Sequence, residues 1–390
     1  MQSRGVDRSG FRPLRVGISA LATKGGGGFT YLANLLTHFS RLPAPPECVV
    51  AAHSQVLARL RGKDRSFEAV PLDPRGLAHR IWLEQRTLPA LFARRRVDVI
   101  LAPNNVGPLW TEIPTVVTIQ NVEPLVGLEG EMPWSYRLRL RGLGALTAMS
   151  LRRASAVIAV SGFARDLIRR RVRSDDRPVD VIPLGAPDDR ETSPPAEGEQ
   201  CRRALGVRSP YLLAVSAVKS TKNYPRLIEA FARAELPDVI LVVAGGIEQS
   251  WAGRAVGEAI ARHGVADRVR QVGYVEGPTL RALYDGALAV VMPSLLESFG
   301  LPALEAMAYG RPVAVARIPA LLEVCGDGAA YFDPYDVTAI SGVLRTVATD
   351  EGVRRHLAEA GRRRAEAFRW SEVARRTREA LATAAERTTN

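Results

Sequence analysis

The chain has 390 residues, 46% of them hydrophobic and 24% charged. These proportions exclude a disordered chain, a collagen-like fibre and a small disulfide-stapled domain, and the length suits two domains of about 150–200 residues each. Lysine and arginine number 53 against 41 aspartates and glutamates, a net charge of +12. Such an excess favours anionic partners: nucleic acid, acidic lipid or phosphorylated small molecules. The abundance of arginine and alanine is equally what a GC-rich coding sequence produces with no partner at all. No zinc-finger spacing and no basic-aromatic RNA motif is present, so no nucleic-acid partner is expected. No stretch approaches ~18 uninterrupted apolar residues, the length of a membrane-spanning helix. The first residues, MQSRGVDRSGFRP, lack the apolar core of a secretory signal. Cys48, Cys201 and Cys325 are scattered and form neither a disulfide framework nor a metal-ligand spacing. The expected location is therefore the cytoplasm.

Short β-branched runs alternate with longer helical patterns. Leu14–Ala20 reads as a strand, followed by a glycine run and a helix from about Phe29. Val97–Ala102, Pro114–Ile119, Ala154–Val160 and Val179–Pro183 continue the strand series. Such runs suit strands buried on both faces, as in parallel sheets covered by helices and joined by right-handed crossovers. Gly185–Gln200 is rich in Pro, Asp, Glu and Gly without apolar period and reads as a boundary. The alternation restarts with strands at Tyr211–Ser216, Val239–Ala244, Val269–Val272, Ala287–Met292 and Val313–Ala316. It ends in a helical tail from Val353 to Arg387, interrupted near Phe368–Ser371. The expected architecture is α/β: two doubly wound domains facing each other. The first spans residues 1–185, a linker 186–200, the second 201–365, and a C-terminal helix 366–390 that can pack back on the first domain.

In doubly wound sheets ligands bind beyond the carboxyl ends of the strands. The segment after the strand Ala287–Met292 is PSLLESFGLPALE, with Glu297 on a loop and Glu305 one turn into a helix. Ser298, Phe299 and Gly300 precede that helix, where unpaired N–H groups and the helix dipole favour a phosphate. A glutamate nearby can accept from two adjacent sugar hydroxyls. A helix-terminal glutamate that merely suits the dipole explains Glu305 alone, not the whole segment. Lys222 follows the strand Tyr211–Ser216, with Asn223 as an N-cap candidate and Pro225 in the first helical turn. There it can reach a diphosphate, although a solvated lysine is the commoner fate. Gly25–Gly28 allows close approach of a ligand but has neither Walker nor dinucleotide spacing. Gln120 and Asn121 end the strand Pro114–Ile119, and glutamine cannot serve as a base at neutral pH. The histidines fall in no motif. Trp134–Arg153 combines Trp134, Tyr136, leucines and five arginines. It can lie on an anionic membrane surface, though a solvated helix face is the preferred reading.

ESFGLPALEAMAYGRPV resembles the E-x7-E signature of family 4 retaining glycosyltransferases, which have the GT-B fold of two Rossmann-like domains. GGGGFTYLANLL, VVTIQNVEPL, SAVIAVSGFARDLI, DVIPLG, STKNYPRLIEAF and RVRQVGYVEGPTLRALYDGALAVVMPS extend the resemblance from residue 14 to about 345. It implies a nucleotide-diphosphate sugar held by the second domain, through Glu305 at the ribose, Ser298, Phe299, Gly300 and Leu301 at the phosphates, and Lys219, Gly245 and Tyr274 nearby. Glu297, Lys222 and Gln120 carry the catalytic roles, at the transferred sugar and the leaving diphosphate. Gly26, Gly27, Gly28 and Asn121 line the diphosphate and acceptor side. The sequence departs from many relatives at Ser216, where they have arginine, and at Gln120, where they often have histidine. Lys219 is the substitute expected for the missing arginine. No Asp-x-Asp occurs, so no metal and no cofactor is expected.

The implied reaction is retaining hexosyl transfer to the hydroxyl of a sugar, lipid-linked or small-molecule acceptor, in polysaccharide, glycolipid or natural-product biosynthesis. Peripheral contact with an anionic membrane, at its inner face, goes with that list. A catalytically silent sugar-nucleotide binder and a nucleotide-sugar epimerase on the same fold are the alternatives. A glycosidase is rejected, since both glutamates sit in a phosphate-binding context.

Overall fold

A computed structural model describes residues 12–61, 66–126, 132–172, 178–188, 194–247 and 249–387. The chain divides into two compact units, Met1–Gly185 with Trp370–Asn390, and Ala186–Arg369.

The first unit holds β1 (Arg15–Ser19), β2 (Glu47–Ala52), β3 (Glu68–Pro71), β4 (Val99–Ala102), β5 (Thr115–Ile119), β6 (Ala156–Ala159) and β7 (Val179–Val181). They form one parallel sheet in the order β3-β2-β1-β4-β5-β6-β7. Val16 lies between Cys48 of β2 and Val99 of β4, which fixes the register at the centre. Every residue of β4, β5 and β6 is buried, as runs of Val, Ile, Leu and Ala require when helices cover both faces. Gly17 is the small position that admits Phe92: a Cβ there would stand 3.0 Å from the ring. Phe92 anchors a cluster with Leu21, Val49, Leu83, Leu88 and Ile100.

The second unit holds β8 (Tyr211–Val215), β9 (Ile240–Ala244), β10 (Val269–Gly273), β11 (Ala289–Met292), β12 (Val313–Ala316) and β13 (Ala330–Phe332). This sheet is also parallel, in the order β10-β9-β8-β11-β12-β13. In each sheet the winding reverses once, between β1 and β4 and between β8 and β11. In folds of this kind the loops that leave the strands at such a reversal are the usual ligand position.

Several features differ from the sequence pattern. The glycine run read as a loop is the first turn of the helix Gly26–Phe39, with Gly26 at φ 57°. Packing of the buried face (Tyr31, Leu32, Leu35, Leu36, Phe39) outweighs the poor helix propensity of glycine. The strands β2, β3 and β13 were not expected. The supposed linker is helical from Pro195 to Ala204, and Arg202 Nη1 of that helix donates to the Ala282 carbonyl at 3.1 Å. Its residues 189–193 lie outside the described residues.

The helix Trp370–Glu386 belongs to the first unit. Trp370 is buried and meets Tyr31 edge-on at 6.2 Å between centroids, and Arg378 Nε donates to the Ala44 carbonyl at 2.9 Å. Gly185 lies directly against it: a Cβ there would come within 2.5 Å of Trp370 Cγ. In the second unit the first and last residues pair, Ala186 N–H donating to the Phe368 carbonyl at 3.0 Å. Trp370→Ala is expected to destabilise the first unit by about 3–5 kcal/mol, the cost of emptying a buried aromatic site. Urea unfolding followed by a probe in that unit measures it; an unchanged midpoint would contradict this packing.

Candidate functional site

In the second unit the loops after β8 and β11 are fastened together. Leu295 N–H donates to the Thr221 carbonyl at 2.8 Å. Asn223 takes a left-handed conformation, φ 55°, at the start of the helix Tyr224–Arg233. Its side chain does not cap that helix, contrary to the sequence expectation. The amide instead donates to the carbonyls of Pro293 at 3.1 Å and Pro334 at 2.8 Å. Buried carbonyls need donors, and this demand outranks capping of the helix.

The fastening brings Lys222, the last residue of a 3₁₀ turn (Ser220–Lys222), onto Glu297. Lys222 Nζ donates to Glu297 Oε1 at 2.5 Å, and Ser294 Oγ donates to the same oxygen at 2.8 Å. The side chains are only 15% and 11% exposed. A pair this enclosed is held by mutual charge, and removing one member strands the other, typically at 3–5 kcal/mol. Lys222 retains further N–H donors for a ligand, since an ammonium carries three. Lys219 is extended at the start of the same turn, and Ser220 N–H donates to the buried Gln249 at 3.0 Å. At Ser216 the hydroxyl is shared with Tyr224 at 2.7 Å, so this position is filled by a neutral network, not a cation.

Glu297 leads into Ser298 and Phe299, both buried, and Gly300. Phe299 packs edge-on against Phe368 at 5.8 Å. Gly300 sits at φ 101°, where a Cβ would clash with Leu321 Cδ2 at 2.4 Å, so glycine is required there. The helix Leu301–Ala308 begins next. Among the described residues no protein acceptor meets the N–H groups of Phe299, Gly300 and Leu301. Together with the helix dipole such donors make a candidate anion seat. Glu305 is half-buried on that helix. Desolvation pushes its carboxyl up to about 7, while the Tyr284 hydroxyl, donating at 2.8 Å, pulls the other way. Gly245, at the end of β9, permits a very close approach: a Cβ would stand 1.9 Å from the Ser216 carbonyl oxygen. Tyr274 is exposed after β10, its hydroxyl donating to Glu276 at 2.7 Å.

The first unit carries the remaining sequence candidates on its own carboxyl edge. Gly26, Gly27 and Gly28 open their helix after β1, and a Cβ on Gly28 would stand 3.5 Å from Asn104 Oδ1. Gln120 and Asn121 follow β5; both backbone N–H groups donate to Asn105 Oδ1 at 3.1 Å. The Gln120 amide nitrogen donates to the Pro103 carbonyl at 2.7 Å, which holds the side chain in one pose and leaves its oxygen as an acceptor. Asn121 is exposed and uses its side-chain oxygen to accept from Glu123 N–H at 3.0 Å.

Sequence reasoning read Asn223 only as a helix cap and missed the supporting residues Tyr224, Gln249, Tyr284 and Ser294. Each partners a group distant in sequence except Ser294, whose three-residue offset from Glu297 was a readable signal.

Two family models match the chain: Glycosyltransferase Family 4 over residues 25–190 and Glycosyl transferases group 1 over residues 200–364. The chain belongs to the family 4 glycosyltransferases. Among curated relatives, O-antigen chain mannosyltransferase B of Escherichia coli is 30% identical over 241 residues, covering 58% of this chain and 60% of the relative. The MMP alpha-(1->4)-mannosyltransferase of Mycolicibacterium hassiacum is 34% identical over 222 residues, 56% of this chain and 51% of the relative. The chain thus spans about half to three-fifths of the length of the curated relatives it matches. The structure of Anabaena HepE in complex with UDP and glucose superposes with a TM-score of 0.72 at 18% identity, over 95% of this chain and 100% of that one. The fold is GT-B.

Burial of Glu305 has a measurable consequence without any ligand. The folded carboxyl titrates near 7 instead of the ordinary 4.5. Between those values the native state binds the extra proton, so stability falls as pH rises through this window and levels off above it. Glu305→Gln is expected to abolish that decline and to be the more stable form at pH 8, by at most about 3 kcal/mol. Urea unfolding at pH 5, 6 and 8 is the check; parallel pH profiles for the two proteins would refute it.

Proposed function

We propose that the protein transfers a sugar from a nucleotide-diphosphate donor to an acceptor hydroxyl, with retention at the anomeric carbon and without a metal ion. The observation that carries this reading is the placement of the Lys222–Glu297 pair beside the anion seat at Phe299–Leu301, at the β8/β11 reversal. In this reading the diphosphate occupies the seat, with Lys222 and the helix dipole balancing its charge. Glu305 accepts from ribose hydroxyls. Glu297 accepts from hydroxyls of the transferred sugar. Phe299, Gly245 and Tyr274 shape the nucleotide side.

The bond from the anomeric carbon to the phosphate oxygen breaks as positive charge grows on the sugar. The acceptor oxygen bonds to that carbon on the same face, and its proton passes to the departing phosphate oxygen. No side-chain base is needed. Lys222 and the backbone donors stabilise the negative charge that develops on the leaving group, where preorganised dipoles are most effective. UDP and glucose in the Anabaena neighbour support a nucleotide-sugar donor. The name of the Escherichia coli relative supports a glycan-building role; the acceptor in this reading is a sugar, lipid-linked or small molecule.

The two glutamates should fail differently. Glu305→Gln removes a contact that is alike in ground and transition states, so it should mainly raise the donor KM. Glu297→Gln should lower kcat by roughly 10- to 150-fold, the equivalent of a lost charged hydrogen bond of ~1.5–3 kcal/mol. Steady-state kinetics at saturating donor, beside direct binding measurements, separates the two; inverted effects would reverse the roles, and unaffected turnover in both would favour a silent binder.

Calorimetry should give nucleoside diphosphate binding that survives excess chelator. Because ribose hydroxyls donate to the ionised Glu305, affinity should rise about ten-fold from pH 6 to pH 8. That rise should vanish in Glu305→Gln. Loss of binding on chelation would sink the metal-free reading, and a flat pH profile in the parent protein would remove Glu305 from the ribose.

A further inference from the structure

The chain holds five tryptophans, and three of them stand on the first unit more than half exposed: Trp82 at 56%, Trp110 at 58% and Trp134 at 77%. Large apolar rings left in water ask for an explanation when they are grouped. Trp134 opens the helix Trp134–Arg153, about 30 Å long at 1.5 Å per residue. Its inner face is built from small residues, with Gly144, Thr147, Ala148, Ser150 and Leu151 buried. The outward face is different. At about 100° per residue, Trp134, Leu138, Arg141, Ala145, Met149 and Arg152 fall within an arc of about 80°. All six are exposed, Leu138 at 62%.

The charge on this helix has one sign. It contains five arginines and no acidic residue. Among the described residues Arg139, Arg141 and Arg152 have no ion-pair partner, whereas arginines elsewhere on this unit, such as Arg15 and Arg95, pair with Glu68. The neighbouring helix Gly162–Val172 adds Arg169–Arg171 in its last turn. The loop bearing Trp110 is tied to the far end of the long helix. Arg153 Nη1 donates to the Leu109 carbonyl at 3.4 Å, and Ser150 Oγ to the Gly107 carbonyl at 3.3 Å. Gln85, three residues beyond Trp82, joins the same loop through Leu109 N–H at 2.8 Å.

We propose that the outward face of the helix Trp134–Arg153 docks on an anionic lipid bilayer. The helix lies in the interfacial plane, with Trp134, Leu138 and Met149 entering the boundary between headgroups and acyl chains. The interleaved arginines extend to lipid phosphates, as long basic side chains do at interfaces. A second copy of the chain is a poorer occupant, because a two-fold contact of this face sets arginines against arginines. No helix among the described residues is long and apolar enough to cross a membrane, so attachment by this face would be peripheral and reversible. The inference is independent of the sugar-transfer reading.

Co-sedimentation of the whole chain with vesicles tests it. One set is phosphatidylcholine alone, the other phosphatidylcholine with 30% phosphatidylglycerol, a fraction chosen at roughly physiological surface charge. Binding is expected to the anionic vesicles only, with a blue shift of tryptophan emission and release at high salt. Arg141→Gln with Arg152→Gln should weaken partition roughly five-fold per arginine. Trp134→Ser should remove most of the blue shift. Both sites are solvent-exposed, and unaltered nucleotide binding and melting in the variants confirm an intact fold. Equal partition onto neutral and anionic vesicles, or full binding by the variants, would overturn the proposal. Self-association without any vesicle binding, lost in Trp134→Ser, would overturn it in favour of a second copy.

Discussion

Lys222 and Glu297 meet at 2.5 Å across 75 residues of sequence, and much of the second unit is arranged so that they can. The contact exists because β8 and β11 are hydrogen-bonded neighbours although two other strands separate them along the chain. Right-handed crossovers send the intervening strands to one side of β8, and the chain then returns to the other. The vacancy at that reversal would be lined by bare carbonyls without Asn223, whose amide closes two of them. The charged pair, the left-handed asparagine and the glycine at φ 101° are thus one solution to a single problem of closing two loops at a sheet centre.

The two glutamates of the motif are held by opposite physics. Glu297 accepts from an ammonium and a hydroxyl. Glu305, eight residues on, has a single hydroxyl donor and a desolvating surround that disfavours its charge. One group is already compensated, and the other is left short of donors.

The strands legible in the sequence were those that bury both faces, such as VILA, TVVTI and AVVM, where nearly every residue is aliphatic. The edge strand β3 buries only Val70 and ends in proline, so it carries almost no pattern. β13 is three residues long, and β2 has only two β-branched residues among Cys and Ala. The site was legible where its chemistry is local: the spacing of Glu297 and Glu305, the glycine before the helix, the lysine after β8. What could not be read was pairing over distance. Tyr284 reaches Glu305 from 21 residues away, and Asn223 answers carbonyls 70 and 111 residues distant. The glycine run shows the same limit from the other side, since local propensity argued for a loop and tertiary burial made a helix turn.

The return of Trp370 to Gly185 gives the two units unequal histories during synthesis. The second unit is one unbroken stretch of chain, whereas the first is interrupted by it. A ribosome that has made residues 1–185 has supplied the first sheet but not the tryptophan that fills the space beside Gly185 and Tyr31. The second unit can therefore be complete while the first still waits with an open hydrophobic slot. That slot closes only when the helix Trp370–Glu386 emerges, which makes a segment translated after the whole second unit the one that finishes the earlier core. Early termination would leave a finished guest inside an unfinished host.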